Sequence, residues 1–377
     1  MGSVRARPEA LSRMSALKVT LVYPGDLDTR TGGYRYDKRM VEELNKLQAR
    51  YSAENIALRS LQGDYPFPGE EQLEQANSVL ARIDDGTVTL IDGLAYSVMP
   101  DVLKRHANRL KLVALIHHPL ALETGLSPEQ SQALKVLETQ ALSYAQHIIT
   151  TSTLTAESLS EYRVRSDNVS AILPGTDMAS PAQGSDSSTC RFLCVATLTP
   201  RKAHHVLLDA LASLKHLDWD LNCVGSTERD DATYQALLAQ RTKLGLDSRV
   251  HFSGELEDAG LTTCFNEADA FVLASYHEGY GMVLTEAIAR ALPIICTEGG
   301  AMAQTVPDGA GILVPPGNVV ELSRALQRFL EDPNLRNQLS TQAALARTQL
   351  RSWESAAAEL SAVLRSIDVA SIKTLNA

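Results

Sequence analysis

Short unbroken runs of apolar residues recur along this chain, each followed by a longer stretch in which apolar residues return every three or four positions. In the first half the runs are KVTLVYP (18–24), VTLID (88–92), KLVALIH (111–117) and HIITTS (147–152). Their length and their content of Val, Ile and Leu predict strands, and segments near 34–49, 69–83, 98–109, 128–146 and 153–162 read as helices. The pattern then stops. Residues 178–189, MASPAQGSDSST, are small, polar and aperiodic, which predicts a linker. A second alternating set follows, with strands expected at 190–196, 220–225, 249–254, 268–275, 293–297 and 311–316, and an amphipathic helix at 353–367. Near-continuous apolar strands alternating with helices indicate parallel sheets covered on both faces. The expected fold is therefore α/β, with two doubly wound, Rossmann-like domains facing across a cleft. Its expected divisions are a disordered extension (1–15), a first domain (16–178), the linker (179–189), a second domain (190–350) and a C-terminal helix (351–377) that can cross back to the first domain.

Length agrees with this division, since 377 residues exceed one ordinary core. A net charge of −10 and a pI of about 5.4 argue against a phosphate-backbone footprint, so no nucleic-acid partner is expected. No apolar run approaches the ~18 residues that a membrane-spanning helix needs. The opening MGSVRARPEALSRMSALKV is basic but lacks the apolar centre of a signal peptide, and Ala6 stands where myristoylation asks for Ser or Thr. A cytoplasmic protein is expected. KRHANRLK (104–111) reads as a solvated helix face, with a weak peripheral contact at the inner face of the membrane as its alternative. Five cysteines without CxxC spacing read as reduced core thiols.

The distinctive motifs fall at predicted strand ends, where ligands sit in doubly wound folds. Gly32-Gly33 stands directly before a helix, where backbone can approach a phosphate with helix amides behind it. It is not GxGxxG, which argues against a dinucleotide enzyme. Asp26-Leu27-Asp28, just upstream, reads as an acidic turn, and no metal is assigned to it. His117 and His118 end an apolar strand and are candidates for contact with substrate hydroxyls or a developing charge. Arg201 and Lys202, in the turn after the second domain's first strand, could meet a diphosphate with a bidentate fork and a point charge. HEGYGMVLTEA (277–287) places Glu278 and Glu286 at the two ends of a glycine turn that opens a helix.

Together, Gly32-Gly33, Arg201-Lys202, Glu278-x7-Glu286 and TEGGAMAQTVPDGAGILVPPGN (297–318) resemble the retaining glycosyltransferases of family 4, the group 1 glycosyl transferases. The likeness covers the chain from about Leu17 and implies the GT-B architecture. It further implies that the backbone around Gly279, Tyr280, Gly281, Met282, Val283 and Leu284 binds the donor, with the amides of Gly281 to Leu284 facing the diphosphate. Glu286 would receive the ribose hydroxyls and Glu278 the transferred sugar. Gly33 would donate its N–H to the distal phosphate, Arg201 and Lys202 would neutralise the leaving diphosphate, and His117 or His118 would line the sugar pocket. Tyr280 replaces a common Phe, Gln304 a usual Glu, and Ala291 a position often held by Gly.

The resemblance thus implies a retaining hexosyltransferase that moves a sugar from a nucleotide-sugar donor, UDP- or GDP-linked, to a glycan, a lipid-linked glycan or a small molecule. No cofactor and no metal are expected beyond the donor itself. A nucleotide-sugar epimerase, a phosphorylase and a non-catalytic nucleotide-sugar binder are the alternatives. Because Arg201 and Lys202 are expected at an open cleft, their removal is expected to leave stability almost unchanged.

Overall fold

The computed structural model describes residues 17–49, 56–185 and 187–375. The expected extension over 1–15 lies outside them. Two six-stranded sheets, parallel throughout, organise the described chain. The first contains β1 (Val19–Pro24), β2 (Ala57–Leu61), β3 (Val88–Asp92), β4 (Lys111–Ile116), β5 (His147–Thr150) and β6 (Val169–Ala171), in the order β2-β1-β3-β4-β5-β6. The second contains β7 (Cys190–Val195), β8 (Trp219–Val224), β9 (Val250–Gly254), β10 (Ala270–Leu273), β11 (Ile294–Thr297) and β12 (Gly311–Val314), in the order β12-β11-β10-β7-β8-β9.

Two strands escape the hydrophobic pattern, β2 and β6, and both are sheet edges. β2 reads ALRSL and leaves Leu58 40% exposed; β6 is three half-buried residues, VSA. An edge strand has one neighbour and often little cover, so it needs no continuous apolar run. The central strands β3 and β4 are buried at every residue, as strands covered on both faces must be.

The chain passes between the domains twice. The polar segment after Met178 runs along the second domain, with the Ala182 N–H donating to Arg290 and the Gln183 N–H to Asn266. The return is made by helix Trp353–Leu375. Its residues Trp353, Ala356, Ala357, Leu360 and Leu364 enter one core with Leu17, Val19, Tyr36 and Met40 of the first domain. Trp353 meets the edge of Tyr36 at 6.0 Å, and the Arg39 guanidinium lies 5.5 Å above the indole. Among the described residues, no helix is long and apolar enough to cross a membrane.

Topology fixes where a ligand site can form. In the second sheet the strand order reverses between β7 and β10, the position at which ligands sit in doubly wound sheets. The loops that follow these two strands carry Arg201-Lys202 and Glu278.

Candidate active site

β7 ends at Val195, and after a short loop the turn Pro200–Lys202 leads into helix His204–Ala212. β10 ends at Leu273, and its loop reaches Glu278 before helix Met282–Ala289 begins. The two loops meet through charge. Lys202 Nζ lies 2.6 Å from Glu278 Oε1, and Arg201 Nη1 lies 3.3 Å from Glu278 Oε2. Arg201 also donates to the His277 carbonyl at 2.7 Å and, through Nε, to Glu123 of the first domain at 3.0 Å.

These cations are not open to solvent. The Arg201 and Lys202 side chains are only 18% and 15% exposed, which corrects the expectation of an open cleft and removes the ground for expecting a negligible effect on stability. Burial alone would raise the Glu278 carboxyl, but Lys202 and Arg201 outweigh it and hold the group at about 2. Glu123 is held at about 2 as well, because His118 and Arg201 outweigh its burial. Burial lowers the Lys202 ammonium from its ordinary value, with Glu278 opposing it. A carboxylate that stays ionised 2.6 Å from the amine keeps the two as an ion pair.

Beside this cluster the chain turns at Gly281, whose φ of +86° lies in the left-handed region that a residue with a Cβ resists. Helix Met282–Ala289 opens there, and the amides of its first turn have no intrahelical acceptor. The Leu284 N–H is the exception: it donates to the Gly281 carbonyl at 2.8 Å. Gly281, Met282 and Val283 are thus the amides best left for an anion. Tyr280 is anchored where its carbonyl accepts from Thr305 Oγ1 at 2.5 Å. At Gly279 the domains touch, since a Cβ there would lie 2.2 Å from the His117 carbonyl oxygen.

The first-domain wall is built around His117. Its Nε2 sits 3.1 Å from Asp37 Oδ1 and 3.4 Å from Asp92 Oδ2, and both carboxylates are almost fully buried. Asp92 ends β3 and also caps the helix that follows, accepting from the Leu94 N–H. Gly33 packs against the same imidazole, with 3.1 Å between its Cβ position and His117 Cδ2, whereas Gly32 faces open space. Burial would lower His117, but Asp37 and Asp92 outweigh it and raise the imidazole to about 10. Asp37 is raised to about 7, chiefly by burial, with His117 opposing and Asp92 adding to the rise. His118 turns elsewhere, with Nε2 3.1 Å from Glu123 Oε2 and its ring 6.1 Å from that of His277.

Both raised values make the folded state bind more protons than the unfolded chain, so this cluster loses stability as pH rises. Asp37 acts between its ordinary 3.8 and about 7, and His117 between 6.5 and about 10. Asp37→Asn removes the first window and, by taking away the main charge that raises His117, shrinks the second. The stability of the wild type relative to this variant should fall as pH rises from 4 to 7, measured by urea unfolding at several pH values. A difference that is flat or rises would contradict the assigned direction.

Glu286, on the second helix turn, is 15% exposed and pairs with Arg35 of the first domain at 2.8 Å. Burial raises its carboxyl, with Arg35 and Arg290 opposing. Further contacts span the cleft: Arg30 with Glu257 at 2.7 Å, and Thr153 Oγ1 donating to Gln304 Oε1 at 2.8 Å. Sequence reasoning missed Arg35, Asp37, Asp92 and Glu123. Asp37 carried a local signal, four residues beyond Gly33 on one helix face; Arg35 and Glu123 gain their meaning only from the opposite domain. Asp28 is an exposed partner of Lys38 at 2.5 Å, and the Asp28 N–H donates to Asp26. The basic stretch 104–111 is divided among partners. Arg105 pairs with Glu74, Arg109 with Asp85 and Lys111 with Asp368, while His106 bonds Asn77.

Two Rossmann-like domains with a charged cluster at the reversal of strand order define the GT-B architecture. The model of the family described as Glycosyl transferases group 1 matches residues 178–345, which contain Arg201, Lys202 and both glutamates. The chain is 27% identical over 261 residues to a D-inositol 3-phosphate glycosyltransferase of Corynebacterium kroppenstedtii, covering 64% of this chain and 57% of the relative. It is 27% identical over 270 residues to an MMP alpha-(1->4)-mannosyltransferase of Mycolicibacterium hassiacum, covering 67% and 64%. The match thus spans less than two thirds of either relative. Among solved structures, sucrose-phosphate synthase from Thermosynechococcus elongatus superposes with a TM-score of 0.79 at 20% identity, over 94% of this chain and 100% of that one. Anabaena Alr3699/HepE in complex with UDP and glucose superposes with a TM-score of 0.70 at 18% identity, over 92% and 99%.

Proposed function

We propose that the protein is a retaining glycosyltransferase of family 4, moving a sugar from a nucleotide-sugar donor to a hydroxyl acceptor. The observation that carries this reading is the cluster of Lys202, Arg201 and Glu278 beside the left-handed turn at Gly281. A departing diphosphate needs fixed positive charge and unpaired amides, and both converge here. Lys202 and Arg201 stabilise the charge that grows on the leaving group, aided by the Gly281, Met282 and Val283 amides. Glu278, held ionised by the same cations, accepts from the hydroxyls of the transferred sugar, and Glu286 from those of the ribose. His117 lines the pocket at Gly33 as a fixed imidazolium. Pinned between two carboxylates and already protonated, it adds positive charge near the distal phosphate and does not serve as a general base.

A UDP-linked donor is favoured, by analogy with the UDP-bound state in which the HepE neighbour was solved. Sugar nucleotides linked to UDP, GDP and ADP should be compared by thermal shift. The true donor should stabilise the fold by about 2.7 kcal/mol at 100 times its dissociation constant. With alcohol acceptors, proton NMR should show the product keeping the donor's anomeric configuration, and the rate should survive exhaustive chelation. Inverted product would overturn retention. A loss restored by Mg²⁺ or Mn²⁺ would overturn metal independence, and no binding of any sugar nucleotide would overturn the reading as a whole.

A further inference from the structure

Behind the turn that presents Arg201 and Lys202 lies a second cluster that the proposed transfer does not use. Cys194 on β7 and Cys223 on β8 are register partners in the parallel ladder, so their side chains leave the same face of the sheet. His204, the first residue of helix His204–Ala212, points onto them, with Nε2 3.7 Å from Cys194 Sγ. The two thiols and the imidazole keep their donor atoms within 4.8 Å of one another. All three residues are at most 2% exposed. It is Nε2 that His204 turns toward the thiols, so Nε2 is the nitrogen a shared ligand would take.

We propose that Cys194, Cys223 and His204 form a three-ligand site for a thiophilic closed-shell cation, and that Cu(I) is the ion that fits it. Two sulfurs and one imidazole are a soft donor set. An ion ~2.3 Å from sulfur and ~2.0 Å from nitrogen, bonded in a trigonal plane, separates these atoms by ~3.7 Å, the spacing already present between His204 and Cys194. Zn(II) asks for a fourth ligand, and among the described residues the cluster offers three. Charge points the same way. Binding releases one proton from each thiol to solvent, and two thiolates with one monovalent cation leave a single negative charge. The Lys202 ammonium acts favourably on a Cys194 thiolate while it stays paired with Glu278. His204 and the two diphosphate-facing cations share one short stretch of backbone, so a filled site would brace the turn that carries them.

The test is an anaerobic titration of the reduced full-length protein with Cu(I) against bathocuproine disulfonate. The wild type should withhold one Cu(I) per chain, with the ultraviolet charge-transfer absorption of copper thiolate and a raised melting temperature. Cys194→Ala/Cys223→Ala should abolish the retention, and His204→Gln should weaken it at least tenfold. A variant with Cys190, Cys264 and Cys296 all changed to Ala should keep it. If the double variant fails to fold, X-ray absorption on the loaded wild type should still show two sulfurs and one nitrogen around copper. No retained copper, retention that survives the loss of Cys194 and Cys223, a different ligand count, or tighter retention of Zn(II) than of Cu(I) would each overturn the proposal.

Discussion

Lys202→Ala is expected to lower turnover by about a hundredfold or more and to destabilise the fold at the same time. The kinetic part follows from preorganisation: one fixed stabiliser of developing charge is worth roughly 3 kcal/mol in the transition state. Lys202 sits 2.6 Å from a carboxylate and 15% exposed, so its charge acts where solvent screens it little. The stability part follows from Glu278. Removing Lys202 leaves a buried carboxylate with Arg201, at 3.3 Å, as its one cationic partner among the described residues. Stranding one member of a buried pair typically costs about 3–5 kcal/mol. Since Arg201 remains, the lower end of that range is expected.

The two effects can be separated. Replacing both members with neutral groups, as in Lys202→Met/Glu278→Gln, removes the stranded charge, and neutral replacement of a buried pair is often harmless to stability. The double variant should therefore melt near the wild type yet remain catalytically poor. Steady-state kinetics with the identified donor, beside melting curves for both variants, would read this directly. Wild-type turnover in Lys202→Ala, or activity returning together with stability in the double variant, would remove Lys202 from the diphosphate role.

The same pair shows how far sequence reasoning reaches. Strands buried on both faces announce themselves as unbroken apolar runs, so VTLID and KLVALI were legible, whereas the edge strands ALRSL and VSA were not. Arg201, Lys202 and Glu278 could be singled out because each follows a legible strand. That they bury one another could not, because the reversal of strand order joins loops separated by more than 70 residues. Asp37 and Asp92 gain their meaning only where both meet His117. Ala291, where glycine is common in the resembling family, adopts a φ of +57°, so the backbone conformation that favours glycine persists under an alanine. Contacts across the cleft, such as Glu123 with Arg201, depend on two domains at once, and no local pattern encodes them.

Glu286→Ala should weaken binding of free nucleoside diphosphate by roughly 10- to 100-fold, whereas Glu278→Ala should leave that affinity nearly unchanged and depress transfer. Hydrogen bonds to a charged group contribute about 1.5–3 kcal/mol each, and a buried carboxylate offers two acceptor oxygens to paired ribose hydroxyls. In the proposed reading Glu278 instead receives the sugar, which the free nucleotide lacks. The structure adds a condition. Glu286 already pairs with Arg35 of the first domain at 2.8 Å, so a ribose must share or displace that guanidinium. Arg35→Ala should therefore keep nucleotide affinity or raise it, since it removes a competitor for the carboxylate. Isothermal titration of the three variants with the preferred nucleoside diphosphate distinguishes the cases. If Arg35→Ala loses as much affinity as Glu286→Ala, the ion pair itself organises the site. If the two glutamate variants lose equally, the division of ribose and sugar between Glu286 and Glu278 fails.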